Sequence, residues 1–225
     1  MTTRGARPPM IGANSVLHRR LQATLLGACL GAAALTGCAG GGSGAGLETS
    51  LAEAATDDRP RIIEASGLDA QAREAYRKGR LPEAEQLWRR AIAVADDYWS
   101  PRHNLGVFYT DQGNFIGAVN QLRRAAELAP GDFRPLYHLG VAYFNAGYAR
   151  EALSAFHRAY DVQPRDAAVL RGIFAAARVL NHADPETLEA MRAALLIEQD
   201  PEWRDRFQRE VRRQERQLDE ELRRG

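Results

Sequence analysis

Between residues 65 and 164 the sequence repeats itself at one fixed interval. Leu105-Gly106 returns as Leu139-Gly140, Tyr109 as Tyr143, Gly113 as Gly147, Ala118 as Ala152, Leu122 as Phe156, Ala125 as Ala159 and Pro130 as Pro164, and every shift is 34 residues. One step of 34 residues backward lands on Ala72, Ala75, Gly79, Ala84, Trp88 and Ala91, so a third, less regular copy begins near Ala65. A constant period of about 20 to 50 residues marks a solenoid, whose units bury their apolar faces against one another.

The residue types give each unit two helices. Gly106, Gly140 and Ala72 fall on the first helix and Ala118, Ala152 and Ala84 on the second, where small side chains let two helix axes approach closely. Tyr109, Tyr143, Leu122, Phe156 and Trp88 fill the wider gaps. Gly79, Gly113 and Gly147 end the first helices with a left-handed residue, and Pro130 and Pro164 stop the second ones. Ser100-Pro101, Asp184-Pro185 and Asp200-Pro201 read as helix starts, a capping side chain followed by proline in the first turn. Beyond Pro164 the pattern decays into 166–180 and 185–198, a degenerate fourth unit. The last segment, 201–224, carries Trp203, Phe207, Val211, Leu218 and Leu222 on one stripe, with seven acidic and eight basic residues elsewhere. It reads as a polar cap on the open end of the stack, or as a seam for a partner helix or a second copy of the chain.

In its spacing and size classes the middle of the chain resembles the tetratricopeptide repeat family, well over 65–164 and loosely over 167–198. The resemblance implies an all-α solenoid of antiparallel helix pairs with a C-terminal capping helix, with repeats at about 65–98, 99–132 and 133–166 and a degenerate one at 167–198. It also implies a concave inner wall made by the first helices. Repeat geometry places Arg73, Tyr76, His103, Asn104, Thr110, Arg134, Tyr137, His138, Phe144, Asn145 and Arg171 on that wall, together with Asp69, Arg77, Val107, Asp111, Val141 and Arg178. Aromatic, amide and arginine side chains suit an extended peptide or a helix. Some family members hold a C-terminal carboxylate in a clamp of lysine, asparagine and arginine. Asn104 and Arg134 match two of its places, whereas His138 stands where arginine is usual and Asp69 and Arg73 replace lysine and asparagine.

The N-terminus reads as an address. After Arg19-Arg20 an apolar run from Leu21 ends in Leu35-Thr36-Gly37-Cys38, the layout of a secretory signal. The closing tetrapeptide resembles the bacterial lipobox, which implies lipidation of Cys38 and removal of residues 1–37. Ala39 in place of aspartate implies the outer membrane, with the folded part on its periplasmic face. Residues 38–64 are then the lipidated end and a linker, opening with the Gly-rich 39–46 stretch. Both cysteines, Cys29 and Cys38, precede the repeats, so the solenoid contains no disulfide and no thiolate metal site.

Composition narrows the chemistry. The 30 basic and 29 acidic residues create no field that would gather nucleic acid. No His-Glu-x-x-His, phosphate loop or nucleophile motif occurs, and His103, His138, His157 and His182 show no metal spacing along the chain. The expectation is a binding protein without cofactor, metal or catalytic residues. It would be a membrane-anchored periplasmic scaffold that takes a partner protein or peptide in its groove and assists assembly of an envelope complex. The architecture is similar to that of lipoproteins that assemble type IV and Tad pili. The alternative is an adaptor or regulator of a periplasmic cell-wall enzyme or protease.

Overall fold

The computed structural model describes residues 58–181 and 183–224. The signal, Cys38, the Gly-rich stretch and His182 lie outside the described residues. Those that are described form nine helices and no strand: α1 (Arg59–Arg77), α2 (Leu81–Val94), α3 (Trp99–Asp111), α4 (Phe115–Leu128), α5 (Phe133–Asn145), α6 (Ala149–Val162), α7 (Ala167–Leu180), α8 (Pro185–Ile197) and α9 (Pro201–Arg224). None of them is long and apolar enough to cross a membrane.

α1 pairs with α2, α3 with α4 and α5 with α6 as antiparallel hairpins, and each second helix also packs on the first helix of the next hairpin. The turn within each of these hairpins is set by a glycine at positive φ: Gly79 at 74°, Gly113 at 73° and Gly147 at 88°. Glycine reaches that region without steric cost, and the residue after it can then bond back across the helix end. Those bonds run from Arg80 N to Ala75 O (2.9 Å), Asn114 N to Tyr109 O (2.8 Å) and Tyr148 N to Tyr143 O (2.9 Å). α4 and α6 end at Leu128 and Val162, two residues before Pro130 and Pro164. The fourth unit turns differently, with Asn181 taking the left-handed position at φ 49°.

The small residues do what their spacing predicts. A Cβ added at Gly106 would lie 2.5 Å from the Leu122 side chain, and one added at Gly140 would lie 2.6 Å from the Phe156 ring. Phe156 has a second close neighbour: a Cβ on Gly172 would come within 2.7 Å of the same ring. The ring therefore fills the space between α5 and α7 and ties the third hairpin to the fourth.

The first helices touch one another along the stack, whereas the second helices scarcely do. The stack thus curves with α1, α3, α5 and α7 on its inner side. Three side-chain contacts between successive first helices recur at a separation of 35 residues: Asp69 with Asn104, Tyr76 with Asp111, and His103 with His138.

Two local expectations are corrected, and the capping helix gains a register. α1 begins at Arg59, inside the segment read as linker and ahead of the first repeat placed at 65. Pro60 is tolerated in the first turn, where no intrahelical N–H is needed, and Ile62 extends the apolar stripe onto Ala65, Leu68, Ala91 and Ala95. Ser100 does not cap α3, which starts at Trp99; its hydroxyl donates to Asp69 at 3.0 Å. The last helix is more than a lid. Its Phe207 continues the buried series Leu105, Leu139, Ile173 at 34-residue steps, and Val211 continues Tyr109, Tyr143, Ala177. α9 runs parallel to α7, with Trp203 beside Arg171, Phe207 against Phe174, Glu210 beside Arg178 and Arg213 bonded to Asn181. It stands as the first helix of a fifth unit, in register with the others.

Candidate partner-binding groove

The inner side divides into residues that hold neighbouring hairpins together and residues that remain presented to solvent. Asp69, only 2% exposed, accepts from Trp88 Nε1 (2.9 Å), Ser100 Oγ (3.0 Å) and Asn104 Nδ2 (2.7 Å), with Arg73 Nε at 3.4 Å. A buried carboxylate is tolerated when its lone pairs are filled in this way. Asn104, one of the two clamp-like residues, therefore spends its amide on Asp69. Tyr76 is likewise engaged: its hydroxyl donates to Asp111 at 2.5 Å, and its ring meets Trp88 and Phe108. Burial, and then the Asp111 carboxylate, push the Tyr76 phenol up to about 12.

At the centre of the wall His103 and His138 face each other, with ring centroids 5.0 Å apart, flanked by Trp99 on one side and Tyr137 on the other. Burial, followed by the positive charge of Arg134, lowers His103 to about 4. Burial, followed by His103 and Arg134, lowers His138 to about 3. Both imidazoles are neutral near pH 7 and act as packing. Surface histidines, the plainest expectation for such residues, are not what the structure shows.

Thr110 and Phe144 are placed inside the stack and not on its inner face. The Thr110 hydroxyl donates to Gly106 O at 3.0 Å within its own helix, and Phe144 is packed in the core with Leu153 and Ile173. Both positions lie one turn from presented residues, and helix spacing alone does not separate a buried edge from an open one. Tyr137 is half-buried, its ring 5.8 Å from that of Phe156, and Asn145 is half-buried at the end of α5.

What remains presented is a series of guanidinium groups lying on rings. Arg134 sits 4.9 Å from the Trp99 ring and pairs with Asp132; Arg171 and Arg206 sit 4.8 and 4.9 Å from the Trp203 ring; Arg178 sits 6.0 Å from Phe174. The favourable face of each ring holds the cation at a fixed place while leaving its outer edge accessible. Arg73, Arg134 and Arg178 are more than half exposed, whereas Asp69 beside Arg73 and Glu210 beside Arg178 are buried. Arg171 is anchored by Glu198 through Nε (3.0 Å) and Nη2 (2.8 Å). The wall therefore offers positive charge and aromatic surface to whatever enters it. Trp99, Phe174, Trp203 and Arg206 were not among the expected lining residues. The 34-residue step from α7 points to α9 as a wall helix without singling out Trp203 or Arg206.

The described residues also enclose two recesses of about 450 and 460 Å³ on the outer row. One is lined by Arg123, Tyr143, Arg150 and Arg158, the other by Arg150, His157, Arg158, Asp184 and Glu186.

A tetratricopeptide repeat family model matches residues 102–129, across α3 and α4. No curated protein matches the sequence. Among solved structures, an O-GlcNAc transferase mutant from Thermobaculum terrenum is 27% identical with a TM-score of 0.51, over 61% of this chain and 27% of that one. The chain thus spans about a quarter of that protein. The first TPR of Spaghetti (RPAP3), bound to the HSP90 peptide SRMEEVD, is 16% identical with a TM-score of 0.51, over 53% of this chain and 95% of that one. MamA AMB-1 is 23% identical with a TM-score of 0.51, over 66% and 79%. With the 34-residue register, the glycine turns and the inward-curving first helices, these likenesses make the described part of the chain an all-helical solenoid of the tetratricopeptide-repeat type.

Proposed function

We propose that this protein is a lipid-anchored scaffold whose inner wall binds an extended, acidic or carboxylate-bearing segment of a partner protein during assembly of an envelope complex, a pilus being the first candidate. The observation that carries the binding reading is the line of ring-supported guanidinium groups from Arg134 to Arg206, along which the acids Glu198 and Glu210 are buried and already bonded. Arginine forks recognise carboxylates in two-point geometry, and the adjacent rings supply apolar area. The RPAP3 domain holds the peptide SRMEEVD, so a solenoid of this fold accommodates an acidic segment. Clamp geometry is a different matter here, because Asn104 is turned toward Asp69.

The test is a panel of labelled peptides, acidic, neutral and basic, titrated against the full chain. Acidic peptides should bind, with affinity falling as salt rises, and the exposed-residue variant Arg73→Ala/Arg134→Ala should weaken binding by at least tenfold while melting within a few degrees of wild type. Equal binding of basic and acidic peptides would sink the reading. Anchoring is tested separately. Cys38→Ser should move the protein from the membrane to the soluble fraction, and retention at the membrane would remove the lipid from the proposal.

A further inference from the structure

Outside the groove, on the outer row, α6 and the start of α8 bring together His157, Asp184 and Glu186. The three are 27 and 29 residues apart in sequence, and one ligand atom from each lies within 4.8 Å of the others. The hydrogen bonds around His157 fix its protonation pattern. Thr187 Oγ1 donates to Asp184 Oδ2 at 2.7 Å, so toward His157 Nε2, 3.1 Å away, the same oxygen acts as acceptor. Nε2 is then the protonated nitrogen, and Nδ1 carries the lone pair. The His157 side chain is 9% exposed, and its Nδ1 is buried without a hydrogen-bond partner, with Glu186 Oε1 3.1 Å away. An unprotonated nitrogen and a carboxylate oxygen this close repel one another unless a cation shares the space.

We infer that His157 Nδ1, Asp184 and Glu186 form a divalent-cation site that clips the third hairpin to the fourth. One imidazole and two carboxylates are the borderline-to-hard donor set of Zn²⁺ sites, with water completing the coordination. Ligand atoms about 2.0–2.1 Å from a tetrahedral ion lie about 3.3 Å from one another, close to the observed separation of Nδ1 and Oε1. The bond from Nε2–H to Thr187 and on to Asp184 is the outer support that orients a metal-binding histidine. Arg150, Arg158 and Asp161 line the same recess, so its three carboxylates outweigh its two guanidinium groups. Glu186 is 62% exposed and can swing to close the remaining distance. The rival occupant of the gap is a proton, which would make His157 an imidazolium paired with Glu186.

The experiment uses the full chain, stripped with chelator and titrated with ZnCl₂, read by calorimetry and by melting. Wild type should take up Zn²⁺ and melt several degrees higher when the free ion is about 100-fold above its Kd. Glu186→Gln, on an exposed side chain, should melt within a few degrees of wild type in chelator, bind Zn²⁺ at least tenfold more weakly and lose most of the rise. Absence of a Zn²⁺-dependent rise in wild type overturns the site in favour of the proton. A rise that Glu186→Gln fully retains overturns it too, because the ion then sits elsewhere.

Discussion

Phe156→Ala is expected to destabilise the protein by about 3–5 kcal/mol, measured by denaturant unfolding. The ring is fully buried, and its Cδ1–Cε1 edge abuts two glycines, Gly140 on α5 and Gly172 on α7. Most large-to-small changes are partly repaired by neighbours that relax into the hole. Here two of the nearest walls are glycines, which have no side chain to turn into the hole, so much of the space would have to be closed by a shift of the helices. In a solenoid each unit is stabilised by its neighbours, so the loss should fall on the third and fourth hairpins first. Leu122 occupies the equivalent place one repeat earlier against Gly106, so Phe156→Leu should cost markedly less. A loss below about 1 kcal/mol for the alanine variant would mean that this ring does not set the helix spacing.

The second large effect is acid sensitivity arising from His103 and His138. Their folded values, about 4 and about 3, lie below the ordinary imidazole value of 6.5. The unfolded chain therefore binds more protons than the folded one throughout the interval between. Stability is whole above about pH 6.5 and is lost as pH falls from there through the folded values. Each unit of pKa difference corresponds to about 1.4 kcal/mol, so the pair should cost on the order of several kcal/mol by pH 4. Asp132 and Asp69 offset the loss at His103 only in part, because Asp132 is held by Arg134 and Asp69 by its three donors. The paired variant His103→Leu/His138→Leu should lose much less melting temperature than wild type between pH 7 and pH 5. Parallel curves for the two proteins would assign the acid sensitivity to other groups.

The backbone plan of this protein was legible because it is written in small residues. Gly106 and Gly140 have to be small, Gly79, Gly113 and Gly147 have to turn left, and each requirement repeats at the same interval. The inner wall was legible only as a row of positions. Periodicity says that Asp69, Asn104, His103 and His138 lie on one side of their helices. It does not say that successive helices come close enough for those side chains to consume one another, as they do at the 35-residue separation. The fifth first-helix was obscured for another reason: fifteen charged residues of 201–224 drown the two buried positions, Phe207 and Val211, that keep the register. His157 escaped because its neighbours Asp184 and Glu186 belong to the next unit, and sequence spacing reveals ligands chiefly when they share one element.

The arginines lying on Trp99, Phe174 and Trp203 bear on the thermodynamics of recognition. A free arginine surrenders about 2 kcal/mol of rotamer entropy when a ligand immobilises it. Side chains already parked on an indole or phenyl plane have given up part of that freedom during folding, so each carboxylate they meet would encounter a socket and not a swarm of conformers.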